Sequence, residues 1–273
     1  MNNLIVEEAM TSNPVTVSVS TSATRVRSIF REEDFRCIPV VEEGHLKGLI
    51  TRGDMQNISA TKSNIEARGI MERPKLIFTP EMELIHAAQN LINSEEIQAP
   101  VVESSDSTKL LGILSVFDIL LVFLKDGIKA PQKTLGDIKT ENVVTCDYQD
   151  SISTLWNKMG ESGFSGLPVL KKGKLIEIVT RKDLIKSGHT RIGAGSGDAK
   201  RNIPAEKIMQ TPPIVGTSKM SLEKAADLMV QKDIGCLPVV ENAMFIKKEP
   251  ERAKESELVG IVSREDVLRS YIT

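Results

Sequence analysis

The chain contains stretches in which apolar residues recur at the spacing i, i+3, i+4, i+7, which places them on one face of an α-helix. Three stretches keep this pattern throughout, and a fourth, from Ala23 to Phe30, has the charged Arg27 within its apolar face. The sequence therefore predicts four amphipathic helices, each with one buried face. The apolar positions of the three regular helices are Leu84, Ala87, Ala88 and Leu91; Ile152, Leu155, Trp156 and Met159; and Leu222, Ala225, Ala226 and Met229.

Short apolar runs typical of β-strands follow these helices. Each helix is succeeded by a run with Pro-Val at its centre, and the prolines recur 61 to 70 residues apart. A second apolar run then ends in threonine or serine, with an aspartate three residues later. Recurrence at this period indicates one small structural unit copied four times. The prolines are Pro39, Pro100, Pro168 and Pro238, and the aspartates are Asp54, Asp118, Asp183 and Asp266.

Each repeat is predicted to contain a short strand, an amphipathic helix, the Pro-Val strand, a hairpin turn, a second strand and a closing helix. We place the repeats at residues 5–60, 66–124, 134–188 and 203–273. A unit of about 55 to 60 residues is marginal alone, so each should bury its sheet against a sister copy. Residues 126–133 are the predicted boundary between two pairs, and residues 104–109 and 242–257 are predicted surface loops.

Composition and charge exclude several classes of function. The chain has 35 Lys plus Arg against 37 Asp plus Glu and only 4% aromatic residues, which disfavours a nucleic-acid partner. Its three cysteines, Cys37, Cys146 and Cys236, are far apart, which argues against a disulfide framework or a zinc site. The sequence shows neither a membrane-spanning segment nor the pattern of a signal peptide. We therefore expect a cytoplasmic protein.

Four copies of this order of elements, each with the Pro-Val strand and an ending of the type G-h-h-[TS]-x-x-D, resemble the CBS domain family over almost the entire chain. The resemblance implies an α/β (α+β) fold of four CBS repeats, each a small three-stranded sheet with flanking helices, paired into two Bateman modules. In that family, two copies pack sheet to sheet and leave clefts that commonly bind adenine-containing ligands. It thus implies a regulatory protein that binds AMP, ADP or ATP and uses no catalytic cofactor.

The same resemblance gives roles to residues around each cleft. In the family's mode, the aspartate accepts hydrogen bonds from ribose, while the hydroxyl residue, the helix N–H groups and a following arginine hold phosphate. The strand before Pro-Val lines an adenine slot. These roles imply as ligand-binding residues Thr16, Cys37, Ile38, Thr51, Arg52, Asp54, Ser115, Asp118, Thr145, Thr180, Arg181, Asp183, Cys236, Leu237, Ser263, Arg264 and Asp266.

A hydroxyl residue three positions before an aspartate is also a helix-capping pair, and duplication would copy a cap as well as a site. We expect ligand binding at some of the four junctions and rank repeat 1 first, followed by repeats 4, 3 and 2. Thr16 and Thr145 add a hydroxyl on the first strand, whereas Val116 replaces the arginine in repeat 2. Glu177 in repeat 3 replaces a glycine that the other three repeats keep.

Other functions stay open at the level of sequence. The three histidines and three cysteines form no catalytic constellation, so an enzyme ranks last. A ligand-free scaffold that regulates a partner protein is the main alternative, and S-adenosylmethionine is another candidate ligand. The glycine-rich segment 193–198 lacks the context of a phosphate-binding loop and is predicted to be a linker. The sequence leaves open whether the four repeats close into one disc or form a homodimer, and it names no protein partner.

Overall fold

The four amphipathic helices are present in the computed structural model, which describes residues 4–33, 35–57, 65–187, 203–209 and 212–273. Three of them begin after a serine whose side chain accepts a hydrogen bond from the third helical N–H, and these serines are Ser22, Ser151 and Ser221. Each helix buries the face that the apolar spacing indicated. Segment 193–198, predicted to be a linker, lies outside the described residues.

Repeats 1 and 2 form module 1. Its helices are α1 (Val6–Ala9), α2 (Ala23–Glu32), α3 (Leu84–Asn93) and α4 (Val116–Lys125), with 3-10 turns at Asp54–Asn57 and Ala67–Gly69. Its strands are β1 (Thr11–Ser12), β2 (Val17–Ser18), β3 (Cys37–Glu42), β4 (His45–Thr51), β5 (Gln98–Ser104) and β6 (Ser107–Ser115).

Repeats 3 and 4 form module 2. Its helices are α5 (Leu135–Ile138), α6 (Ile152–Ser162), α7 (Arg181–Lys186), α8 (Leu222–Gln231) and α9 (Arg264–Ile272), with a 3-10 turn at Ala205–Lys207. Its strands are β7 (Cys146–Asp147), β8 (Gly166–Lys171), β9 (Lys174–Thr180), β10 (Gly216–Thr217), β11 (Cys236–Glu241), β12 (Phe245–Ile246), β13 (Glu249–Ala253) and β14 (Glu257–Ser263).

The Pro-Val strand is central in the sheet of each repeat. In repeat 1, β3 pairs antiparallel with β4 and parallel with β2. Glu43 and Gly44, at the turn between β3 and β4, have φ angles of 52° and 80°, as a tight hairpin turn requires. Repeats 3 and 4 keep separate three-stranded sheets, but repeats 1 and 2 share a six-stranded sheet because β6 also pairs with β1 and β4.

Sister repeats exchange their leading segments. Residues 5–12 of repeat 1 lie on repeat 2, where β1 pairs with β6, and residues 65–72 of repeat 2 lie on repeat 1. Module 2 repeats the exchange, because Thr140 bridges to Ile261 and Pro204 bridges to Ser151. Backbone hydrogen bonds therefore tie the two sisters of each module together.

The apolar cores add a pairing that the sequence did not indicate. We expected each repeat to bury its sheet against its sister, and the sister sheets do meet, because β4 pairs with β6 and Leu175 bridges to Ser256. In addition, the two large cores each join repeats of different modules. The first core combines repeats 1 and 3, and the second combines repeats 2 and 4. Helix α2 packs on α7, while α4 packs on α8 and α9, so the buried helix faces point across the module boundary. The four repeats thus close into one body within a single chain.

The insertion at residues 242–257 also differs from its prediction. Its alternating charges suggested a surface loop, but residues 245–253 form the hairpin β12–β13, which extends the edge of repeat 4. The backbone N–H of Val215 donates to the carbonyl of Glu251 at 2.9 Å, and Ala253 is fully buried beside Val215. The corresponding insertion of repeat 2, residues 104–109, is shorter and lies largely within β5 and β6, and the equivalent edge at Ile77 borders a cavity of about 480 Å³.

Candidate functional site

The four strand-to-helix junctions have one common geometry. At each junction, the hydroxyl and the backbone N–H of the Thr or Ser donate to Oδ2 of the aspartate three residues later. The donor–acceptor distances run from 2.5 Å at Thr180 to 2.8 Å at Ser263. The backbone N–H of each aspartate donates back to that hydroxyl at 3.1 to 3.3 Å. The capping interpretation therefore describes the local structure of all four motifs.

The second carboxylate oxygen keeps a ligand role open at the same residues. Within the described part of the chain, Oδ1 of Asp54, Asp183 and Asp266 accepts no hydrogen bond. In repeat 2, Oδ1 of Asp118 accepts a long hydrogen bond of 3.5 Å from the hydroxyl of Thr11, which belongs to repeat 1. At Asp118, therefore, one oxygen caps the helix while the other contacts the sister repeat.

A segment of the sister repeat bridges the strand that leads to three of the four aspartates. Thr11, Glu72 and Thr140 occupy equivalent positions and bridge the strands that lead to Asp118, Asp54 and Asp266 respectively. All three are exposed. The strands that lead to Asp118 and Asp266 are therefore bridged by a hydroxyl residue, whereas the strand that leads to Asp54 is bridged by a second carboxylate, which would repel a nearby anion.

The arginines that follow the hydroxyl residues are anchored within their own repeats. Nη2 of Arg181 donates to the carbonyl of Met159 at 2.8 Å, and Nη2 of Arg264 donates to the carbonyl of Met229 at 3.0 Å. Both carbonyls lie near the C-terminal end of the preceding helix, where a positive charge is favourable. Burial lowers the pKa of both guanidinium groups from the ordinary arginine value. Arg52 is half-buried, and its backbone N–H donates to the carbonyl of Arg36.

Charged groups of repeats 1 and 4 meet beside an aromatic ring of repeat 2. Oδ1 of Asp233 lies 2.7 Å from Nη2 of Arg264 and 3.3 Å from Nη2 of Arg36, so one carboxylate joins repeat 4 to repeat 1. The guanidinium carbon of Arg264 lies 4.7 Å from the ring centre of Phe117, which belongs to repeat 2. Burial raises the pKa of the Asp118 carboxyl, while its hydrogen bonds from Ser115 oppose that rise.

Repeats 1 and 3 meet in a similar way. A Cβ atom placed on Gly53 would lie 3.1 Å from Nη1 of Arg181, so the guanidinium of repeat 3 reaches the start of the 3-10 turn that contains Asp54. The proximity is consistent with the Asp54 carboxylate partly offsetting the lowered pKa of Arg181. The structure thus brings Asp54 together with Arg181 across the module boundary, which the sequence spacing did not indicate.

The remaining candidate residues divide between surface and core. Thr16 is exposed and Thr145 half-buried, whereas Ile38 and Leu237 are fully buried in the first and second cores. Burial raises the pKa of the Cys37 thiol to about 12 and that of the Cys236 thiol to about 11.

Sequence reasoning missed Thr11, Arg36 and Asp233. Thr11 could have been found by aligning the residue after each repeat's leading Met or Lys. The contact between Arg36 and Asp233 joins positions 197 residues apart and leaves no periodic signal.

The described residues include no group of three or more His, Cys, Asp or Glu side chains that could hold a metal ion. None of the helices in the described residues is both long enough and apolar enough to span a membrane.

Comparison with known proteins identifies the family. The CBS domain matches residues 6–60, 67–125, 135–189 and 205–273. An uncharacterized protein of Methanocaldococcus jannaschii, MJ1225, is 25% identical over 98% of both chains, and a second, MJ1404, is 27% identical over 98% of this chain and 62% of its own length.

Solved structures have the same fold over nearly the whole chain. The crystal structure of MJ1225, described as a proposed archaeal homologue of g-AMPK, has a TM-score of 0.81 at 24% identity and covers 97% of this chain and 99% of its own. An uncharacterized conserved protein from Pyrococcus horikoshii has a TM-score of 0.64 at 23% identity, over 98% of this chain and all of its own. The chain belongs to the CBS domain family and contains four copies of the domain.

Proposed function

We propose that this protein is a regulatory adenine-nucleotide sensor that binds AMP, ADP or ATP in the clefts between sister repeats. The observation that carries the proposal is the geometry of the four aspartates. Each uses one carboxylate oxygen to cap a helix or turn start, and at three of them the other oxygen accepts no hydrogen bond from the described residues. A carboxylate suits ribose hydroxyls, and the adjoining helix N-terminus suits phosphate.

Charge distribution supports an anionic ligand more at some clefts than at others. Asp266 and Asp54 each have an arginine nearby, Arg264 and Arg181 respectively, but the strand that leads to Asp266 is bridged by Thr140 and the strand that leads to Asp54 by Glu72. We therefore expect Asp266 to contribute more to nucleotide affinity than Asp54, which modifies the ranking expected from sequence. Under this proposal the protein carries out no catalysis, acts in the cytoplasm and changes the packing of its modules when nucleotide binds, since a ligand shifts packing only through different affinity for two arrangements.

Calorimetric titration of nucleotide-stripped protein with AMP, ADP, ATP, S-adenosylmethionine and GTP tests the proposal. We expect saturable, adenine-selective binding that weakens about 10- to 100-fold in Asp266→Asn, because the amide removes a charge-assisted hydrogen bond. Asp137→Asn is the matched control, since Asp137 forms the same pair of capping hydrogen bonds with Thr134, at 2.7 Å each, on the exposed start of α5.

The control separates the two interpretations of the motif. If Asp137→Asn and Asp266→Asn change nucleotide affinity equally, Asp266 acts only as a helix cap. Absence of heat with every ligand would reject the sensor and favour the scaffold that regulates a partner protein.

A further inference from the structure

The carboxylate of Asp233 lies between two arginines that belong to different modules. Its Oδ1 is the acceptor for both Arg36 and Arg264, at 3.3 Å and 2.7 Å. The side chain of Arg264 is 1% exposed, that of Arg36 29% and that of Asp233 53%. The three side chains therefore form one charged group. Arg264 is its buried cation, Arg36 is partly buried, and Asp233 is the member that solvent reaches most easily.

Arg264 retains unused hydrogen-bonding capacity. Among the residues that the structure describes, its Nε and Nη1 atoms are buried without a hydrogen-bond partner, while Nη2 serves both Met229 and Asp233. Leaving buried N–H donors unpaired costs free energy. One carboxylate also cannot neutralise two guanidinium groups. Asp118 and Glu265 lie near Arg36 as well, and burial raises the pKa of both carboxyls.

Asp233 is an unfavourable residue for its place in the backbone. It follows the C-terminal end of α8 with a φ of 48°, where glycine or asparagine is preferred and where a negative charge opposes the helix dipole. Repeat 3 has Gly163 at the equivalent position, and Arg181 there still donates to the carbonyl of Met159. The carboxylate is therefore not needed to hold an arginine of this kind in place.

We propose that Asp233 is an internal competitor for a phosphate group at Arg36 and Arg264. A phosphate carries more charge than a carboxylate and offers three acceptor oxygens, so it can satisfy both guanidinium groups together. Its arrival displaces Asp233 and opens the ion pair between Arg36 and Asp233, which links module 1 to module 2. The inference rests on the proposed nucleotide function and gives it a regulation, since competition lowers apparent affinity in proportion to the occupied fraction.

Titration of the full-length wild-type and Asp233→Asn proteins with inorganic pyrophosphate, ADP and GDP tests the competition. Asparagine tolerates the left-handed backbone, so the substitution removes the charge with little strain. We expect pyrophosphate and ADP to bind about tenfold more tightly to Asp233→Asn, with the gain abolished by a second substitution, Arg36→Met. Asp227→Asn, an exposed acid on α8 that accepts a hydrogen bond from Gln231, is the control and should leave both affinities unchanged.

The probes separate this inference from the proposed function. ADP preferred over GDP with no tightening in Asp233→Asn would overturn the competition and leave the sensor intact. Tighter pyrophosphate binding without preference for ADP would support the competition and reject adenine sensing. If neither pyrophosphate nor ADP binds to wild-type protein or to Asp233→Asn, both the competition and the nucleotide sensor are rejected. If Asp233→Asn does not fold, Asp233→Gly, which reproduces the residue of repeat 3, takes its place with the same expected gain.

Discussion

Repeats 3 and 4 are sisters with the same scaffold but different charges. Both anchor an arginine on the carbonyl of a methionine near the end of the preceding helix, at Met159 and Met229. Only repeat 4 adds a carboxylate, Asp233, beside that arginine. Repeat 3 instead places its additional acid, Glu177, on the strand, where repeat 4 has glycine. Duplication has therefore kept the groups that hold the fold and changed those that set the local charge.

The largest expected effect concerns a buried helix position at which repeats 3 and 4 carry side chains of very different size. Trp156 of repeat 3 is 2% exposed in the first core, whereas the equivalent residue of repeat 4 is Ala226. Trp156→Ala should lower the free energy of unfolding by about 3–5 kcal/mol, because the cavity that it leaves cannot fully collapse. Urea denaturation provides the measurement. The control is Phe164→Ala, which removes a 50% exposed ring and should change stability by less than about 0.5 kcal/mol. An unchanged midpoint for Trp156→Ala would show that this side chain is not packed in the first core as its low exposure indicates.

A smaller effect should follow from giving repeat 4 the strand residue of repeat 3. A Cβ atom on Gly260 would lie 2.8 Å from Cδ of Lys139 and 3.0 Å from its Cβ and Cγ, which is too close. Gly260→Glu should therefore destabilise the protein by about 1–3 kcal/mol in thermal or urea unfolding. Lys139→Ala in the same chain should recover part of the loss, because it removes the contacts of Cδ and Cγ but keeps Cβ. Failure of this rescue would place the strain elsewhere.

The smallest effect concerns Cys236, which stands where repeat 3 has Gly166. Burial raises the pKa of its thiol to about 11, so at pH 8 its thiolate fraction should be about a hundredfold below that of an ordinary cysteine. Alkylation by iodoacetamide, followed by mass spectrometry, should be correspondingly slow and should rise with pH until about 11. Because folding holds this thiol protonated, stability should fall as the pH rises above the pKa of the unfolded chain. A rate that levels off near pH 9 would contradict the assignment.

Much of the fold follows from the sequence because period and spacing are local signals. The helix face at Leu222, Ala225, Ala226 and Met229 is buried as its spacing predicts, and the hairpin at Gly44 forms as its glycine predicts. An apolar face, however, does not specify what will cover it. For that reason the sequence did not reveal that repeat 2, and not repeat 3, shares a core with repeat 4.

The candidate site was only partly predictable for a related reason. The hydroxyl and aspartate of each motif are three residues apart, so their hydrogen bonds could be inferred from the chain alone. Arg36 and Asp233 lie far apart in sequence, and no copy in the other repeats marks their contact. The burial of Ala253 within a charged insertion was equally hidden, because it depends on backbone pairing with Val215 and its neighbours.

The interleaved cores have a consequence for how the chain reaches its native state. Repeats appear during synthesis in the order 1, 2, 3, 4, but the core partners are 1 with 3 and 2 with 4. Part of the buried face of α3 therefore stays uncovered until α9 has been made, and most contacts between residues join positions far apart in sequence. Contacts of this kind slow folding and leave intermediates prone to aggregation. The first half of the chain should depend on the second, or on a chaperone, to stay unaggregated while translation is completed.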